Sequence, residues 1–236
     1  MKVLFVAGAR PNFMKIAPLL RALKDSTQEV EWRIVHTGQH YDYEMSKVFF
    51  EDFDIPKPDY FLSVGSSSHA VQTAKVMIEF EKVCLSWMPD LVVVVGDVNS
   101  TLACAITAKK LNIKVAHIEA GLRSGDRSMP EEINRIVTDS ISDYLFVSEK
   151  SGVENLKKEG KNGDQVFFVG NIMIDTLYYG LSKLKKIQAN RVDIHKFLNK
   201  KNEKYAVVTL HRPSNVDNSD KLREILVSEC QSVIVS

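Results

Sequence analysis

Carboxylates, guanidinium groups and an imidazole recur where apolar runs of this sequence stop. Leu91–Val95 closes in Gly96-Asp97, and Lys114–Ile118 closes in Glu119-Ala120-Gly121. Two acids leaving neighbouring apolar segments form a candidate acid/base pair, because burial and like-charge proximity drive such pKa values apart. Each acid also has a purely structural reading: Asp97 as a helix N-cap, Glu119 as the partner of Arg123. A third acid, Glu131, precedes Arg135 by one helical turn in Met129-Pro130-Glu131-Glu132-Ile133-Asn134-Arg135, a spacing that equally describes a surface ion pair.

The cations fall at comparable places. Gly8-Ala9-Arg10-Pro11 leads into a helix with Lys15 one turn in. A helix N-terminus offers unpaired N–H groups, and the planar fork of Arg10 suits phosphate, so this turn is a candidate anion site; the same two residues also read as solvated surface charges. His211 and Arg212 follow the apolar run that ends at Leu210, a better position for chemistry than an isolated histidine has. His36 and His40 flank Thr37-Gly38-Gln39, which reads as a strand exit and not as a helix, and no histidine has ligand spacing with cysteine or acid. No metal site is expected. With neither G-x-G-x-x-G nor a P-loop in the turns, a nicotinamide cofactor and a Walker-type site are not expected either.

The elements that must hold these residues alternate. Short apolar runs at Lys2–Ala7, Glu31–Thr37, Leu91–Val95, Lys114–Ile118, Tyr144–Val147, Gln165–Val169 and Tyr205–Leu210 are separated by stretches of helical period. That pattern predicts an α/β fold with a doubly wound parallel sheet. Ligands of such sheets bind beyond the carboxyl ends of the strands, where the acids and cations lie. Phe13, Ile16, Ala17, Leu20 and Leu23 share one helical face, and Ile133, Ile136, Val137 and Ile141 are the expected core stripe of another. Pro11 suits a first helical turn; Pro18 predicts a kink. The seam is placed near Gly170-Asn171, giving a domain over 1–170 and, over 171–236, a linker helix with part of a second domain.

Composition narrows the function classes. With 236 residues, 31 Lys plus Arg against 30 Asp plus Glu and a net charge of +1, no overall field favours nucleic acid or anionic lipid. The longest aliphatic run has five residues, Leu91–Val95, where a transmembrane helix needs about 20. No nucleic-acid or membrane partner is expected. Cys84, Cys104 and Cys230 are odd in number and embedded in apolar patterns, which predicts buried free thiols in a cytoplasmic protein.

Taken together, Gly8-Ala9-Arg10-Pro11 with Lys15, Thr37-Gly38-Gln39-His40, Gly96-Asp97, His117-Ile118-Glu119-Ala120-Gly121-Leu122-Arg123, Met129 to Arg135, Gly170-Asn171 and His211-Arg212-Pro213 resemble the non-hydrolysing UDP-N-acetylglucosamine 2-epimerases. The resemblance runs to about Leu226. It implies two Rossmann-like domains in the GT-B arrangement, a cytoplasmic homodimer, no metal or NAD, and interconversion of UDP-GlcNAc and UDP-ManNAc for surface polysaccharide precursors. The implied chemistry expels UDP from C1 as the C2 proton leaves, giving a 2-acetamidoglucal, and re-adds UDP after protonation on the other face.

By matched motif, Asp97, Glu119 and Glu131 supply acid/base groups, Arg135 orients one of them, and Arg10, Lys15, His211 and Arg212 serve the UDP-sugar. Gln39 matches a contact of the family's activating UDP-GlcNAc site, where Asp42 replaces a common glutamine. The family's Gly-Asp-Ser-Gly-Gly and Thr-Glu-Arg-Pro runs do not occur in this sequence, so the chain resembles an epimerase cut off early in its second domain and is expected to be inactive or nearly so. The alternatives are a non-catalytic nucleotide-sugar-binding or oligomerisation remnant and a hydrolysing epimerase that releases ManNAc.

Overall fold

The computed structural model describes residues 1–38, 53–161, 163–186, 210 and 216–229. Contacts divide the chain into two units, Met1–Lys186 and Ile187–Ser236. In the first, strands and helices alternate: β1 (Lys2–Ala7), α1 (Arg10–Lys24), β2 (Glu31–His36), β3 (Tyr60–Phe61), α2 (His69–Trp87), β4 (Leu91–Val95), α3 (Asn99–Lys110), β5 (Lys114–Ala120), α4 (Pro130–Ile141), β6 (Tyr144–Val147), α5 (Lys150–Lys158), β7 (Val166–Phe168) and α6 (Ile172–Lys186). In the second unit, α7 (Ser219–Glu229) is capped by Asn218 Oδ1, which accepts from the Asp220 and Lys221 amides at 3.0 and 3.1 Å. The strand expected at Tyr205–Leu210 lies outside the described residues except for its last residue.

The seven strands form a parallel sheet in the order β3-β2-β1-β4-β5-β6-β7. The chain winds outward from β1 in one direction and from β4 in the other, so the reversal lies between β1 and β4, where a crevice opens at the strands' carboxyl ends. Val92, Val93, Val94 and Val95 are all buried, because β-branched side chains suit a strand covered on both faces. One face packs under α2 and α3 through residues such as Leu4, Val76, Phe80, Val94 and Cys104. The other packs under α1 through Phe5, Phe13, Ile16, Leu20 and Ile118.

α1 carries Pro11 in its first turn and runs on through Pro18. α6 lies in the first unit against α1, with Thr176 Oγ1 donating to the Met14 carbonyl at 2.6 Å and Arg21 stacked 3.8 Å from the Tyr179 ring centroid. Beside these helices an apolar groove of about 540 Å³ is lined by Val93, Ala116, Ile118 and Phe146, with Glu119 and Ile172 also on its wall.

The expected core stripe of α4 is corrected. Ile133 is exposed and Ile136, Val137 and Ile141 are only half-buried, whereas Glu132, Asn134, Thr138 and Asp139 are buried. Apolar period locates two faces of a helix but not which one turns inward, and here the inward face is polar because it closes the crevice. The short β3 was not expected from the sequence.

Candidate active site

Strand register brings the acids together. Val94 pairs with His117 and Val95 with Ile118, so Asp97 and Glu119 emerge side by side just past that rung. Gly96 makes the exit turn with φ +69°, and a β-carbon there would sit 3.4 Å from Lys15 Nζ and 3.6 Å from both Glu119 Oε2 and Asn12 Nδ2. Glu119 lies within β5 and not beyond it. It has φ +73°, where the pairing with β6 slips between Ile118 and Ala120. A left-handed non-glycine residue costs of order 1–3 kcal/mol and marks sites where the surroundings dictate the backbone.

The structural readings of these acids do not hold. The N-cap of α3 is Val98, without a side-chain bond, and Asp97 instead accepts from Arg135 Nε at 3.0 Å. Glu119 pairs with Lys15; Arg123 reaches Asp139 at 2.8 Å and Glu159 at 2.6 Å. Arg135 does not pair with Glu131 at i, i+4. Its second contact is Glu132 Oε2 at 2.7 Å. Glu131 is half-buried in the first turn of α4.

The cationic turn is partly self-satisfied. Asn12 Oδ1 accepts from the Gly8 and Ala9 amides at 3.0 and 2.8 Å, while its Nδ2 donates to the Val95 carbonyl at 3.0 Å. Lys15 places its ammonium on the Glu119 carboxylate, so its charge faces the acids. Arg10 begins α1, and its side chain, like Gln39, His211 and Arg212, falls outside the described residues.

Several residues of the crevice had no role in the sequence reading. Glu132, 1% exposed, accepts from the Ser124 and Gly125 amides at 3.0 Å each as well as from Arg135. Burial pushes its carboxyl up, but the amide bonds and Arg135 outweigh that and hold it below the usual range. Asn134 donates to the Asp97 carbonyl at 2.8 Å. His117 and Asp139 bond each other at 2.6 Å. The signal available was the polar series Glu132, Arg135, Asp139, spaced i, i+3, i+7 on α4. His36, stacked between Phe13 and Phe61 at 5.1 and 5.0 Å, is pushed down by burial to about 4.

Among the described residues no cluster of three or more histidines, cysteines or acids could hold a metal, and no helix is long and apolar enough to cross a membrane. Cys84 and Cys104 are buried free thiols; Cys230 lies outside the described residues.

The arrangement is a crevice holding two strand-tip carboxylates, each against a cation. Such a site can remove a proton from one face of a bound carbon and deliver another to the opposite face, if a leaving group bears the charge. A family model described as UDP-N-acetylglucosamine 2-epimerase matches residues 21–230. A Methanococcus maripaludis UDP-N-acetylglucosamine 2-epimerase homolog is 46% identical over 226 residues, covering 96% of this chain and 61% of its own. A Pseudomonas aeruginosa UDP-2,3-diacetamido-2,3-dideoxy-D-glucuronate 2-epimerase is 41% identical over 229 residues, 96% of this chain and 62% of its own. The crystal structure of Methanocaldococcus jannaschii UDP-GlcNAc 2-epimerase with UDP-GlcNAc and UDP superposes with a TM-score of 0.83 at 45% identity, over 98% of this chain and 62% of that one. The chain thus spans about three fifths of the length of these relatives.

Proposed function

The chain belongs to the UDP-N-acetylglucosamine 2-epimerase family, and from that premise we propose that its crevice inverts C2 of UDP-GlcNAc, with UDP leaving C1 as the C2 proton is removed. The observation that carries the reading is the placement of Asp97 and Glu119 on adjacent strand tips, held by Arg135 and Lys15 respectively. One carboxylate takes the C2 proton as the C1–O bond to UDP breaks, and the other, on the opposite face, delivers its own solvent-derived proton to C2 of the 2-acetamidoglucal as UDP re-adds at C1. Elimination is needed because C2 carries an N-acetyl group and no adjacent carbonyl to stabilise a carbanion. Glu131, half-buried in the first turn of α4, is a third candidate acid/base group.

Arg135 orients Asp97, and by matched motif Arg10, Lys15, Gln39, His211 and Arg212 are assigned to the UDP-sugar. No metal or nicotinamide cofactor enters this scheme, since departure of UDP supplies the driving force. The enzyme is read as a cytoplasmic homodimer. Relatives at 45–46% identity carry the UDP-N-acetylglucosamine name and the diacetamido-glucuronate enzyme stands at 41%, which favours the simpler sugar.

The test is deuterium at C2 of recovered UDP-sugar after incubation with UDP-GlcNAc in heavy water, with protein in excess over sugar so that slow exchange registers. General acid/base groups supply about 10²- to 10⁴-fold each, so Glu119→Gln is expected to lower the exchange rate by about that factor. Free ManNAc as product would assign hydrolysis instead. The absence of both products assigns the chain as a non-catalytic remnant in place of an epimerase, and a Glu119→Gln rate near wild type removes Glu119 from the chemistry.

A further inference from the structure

Directly under the tips of β4 and β5 lies an ionic cluster that the proposed reaction does not consume. The side chains of His117 and Asp139 are both 0% exposed, with Nδ1 and Oδ1 2.6 Å apart. His117 Nε2 sits 2.8 Å from the Gly96 carbonyl, and Asp139 Oδ2 accepts from the Gly121 amide at 3.0 Å. Arg123 closes the cluster from the other side of Asp139 and is itself held by Glu159.

Burial pushes the Asp139 carboxyl up, but His117 and Arg123 outweigh it and keep the group below its ordinary value. Both ring nitrogens of His117 are engaged, Nδ1 with the Asp139 carboxylate and Nε2 with the Gly96 carbonyl. Stability does not explain retaining such charges, because well-packed apolar side chains of similar volume are commonly as stable as a buried ion pair.

What an apolar side chain would not do is fix the backbone. The Gly96 carbonyl immediately precedes Asp97, and the Gly121 amide lies two residues past Glu119. Left-handed backbone occurs at Gly96 (φ +69°) and Gly121 (φ +80°), which as glycines adopt it freely, and at Glu119 (φ +73°), where a non-glycine residue persists in it only because the surroundings over-determine it. The two bonded atoms bracket the two carboxylates.

We propose that His117 is a positioning residue for the Asp97–Glu119 pair: locked by Asp139, it ties the β4 exit to the β5 exit and sets the separation of the carboxylates. The inference rests on the epimerase reading, since the separation matters only if both groups address one carbon.

The test compares His117→Phe and Asp139→Asn with wild type by amide hydrogen exchange and by C2 deuterium incorporation. In His117→Phe, the Gly96 and Gly121 amides are expected to exchange at least about tenfold faster while β1 amides are unchanged, the mark of local and not global opening. kcat is expected to fall about 10²-fold, the scale of a 1 Å misplacement, with KM moving less than about threefold. Asp139→Asn lets His117 keep its Gly96 bond and the asparagine oxygen keep the Gly121 bond, so kcat should stay within about tenfold of wild type. If His117→Phe does not fold, His117→Gln, which can keep only one of the two ring bonds, replaces it.

A wild-type protein without C2 exchange removes the epimerase reading, and amide exchange then judges the clamp alone. Unchanged protection of Gly96 and Gly121, acceleration spread evenly over β1, or a kcat near wild type in His117→Phe overturns the proposal.

Discussion

Arg135→Met tests the electrostatic frame of the crevice without requiring activity. The substitution keeps an unbranched stem and removes the cation shared by Asp97 and Glu132. Breaking a buried pair by deleting one partner costs about 3–5 kcal/mol. Glu132 retains two amide donors, from Ser124 and Gly125, and the Arg135 side chain is 13% exposed, so water can reach part of the vacated space. These two features reduce the expected cost to about 2–3 kcal/mol, since hydrogen bonds to charged groups are worth about 1.5–3 kcal/mol each. Asp97, with its side chain 37% exposed, adds little, as exposed pairs contribute about 0–1 kcal/mol.

For a unit of this size the loss corresponds to roughly 4–12 °C in Tm, and urea unfolding at pH 7 measures it directly. The pH dependence supplies a second reading. The Glu132 carboxyl is held below its usual value in the folded state, so its contribution is present above about 4.5 and is lost as pH falls through the folded value. The gap between wild type and Arg135→Met should therefore shrink below that pH. In a double-mutant cycle with Glu132→Gln, the coupling should lie at about 1–3 kcal/mol. A gap below about 0.5 kcal/mol at pH 7, within the range of ordinary surface substitutions, or one that persists undiminished in acid, refutes the reasoning.

Other perturbations address separate parts of the molecule. His36 is buried neutral, with its pKa lowered from 6.5 to about 4; a group depressed in this way contributes fully above pH 6.5 and loses that contribution as pH falls toward 4. The loss should amount to about 3 kcal/mol, read as a fall in the urea midpoint between pH 7 and 4. A midpoint that stays flat across that window would contradict it. Burial raises the Cys84 thiol to about 12 and Cys104 well above its ordinary value, so neither should react with a thiol reagent at pH 8 until the protein unfolds. Peptide mapping that finds Cys104 modified in the native protein at the rate of free cysteine would overturn this.

Much of the architecture was legible because it rests on short-range regularities. Doubly apolar runs such as Leu91–Val95 announce covered parallel strands, and the polar residues where such runs stop drew attention to Asp97 and Glu119, although Glu119 lies inside β5 and not past its end. The fold class follows from the same alternation. What no pattern contains is which of a residue's possible partners is nearest.

Arg135 stands at helical spacing from both Glu131 and Glu132, and only the docking of α4 onto the strand tips turns it toward Glu132 and Asp97. Lys15 and Glu119 meet because β1 and β4 are neighbours in the sheet and β5 lies next to β4, a consequence of winding and not of spacing along the chain. α4 reversed its expected orientation for the same reason: a helix that closes a crevice turns its acids inward when amides and a histidine await them there. Element positions and strand ends follow from local pattern along the chain. The pairing of charges follows from folding, because Coulomb energy and hydrogen bonds depend on through-space distance, which the sheet's register sets.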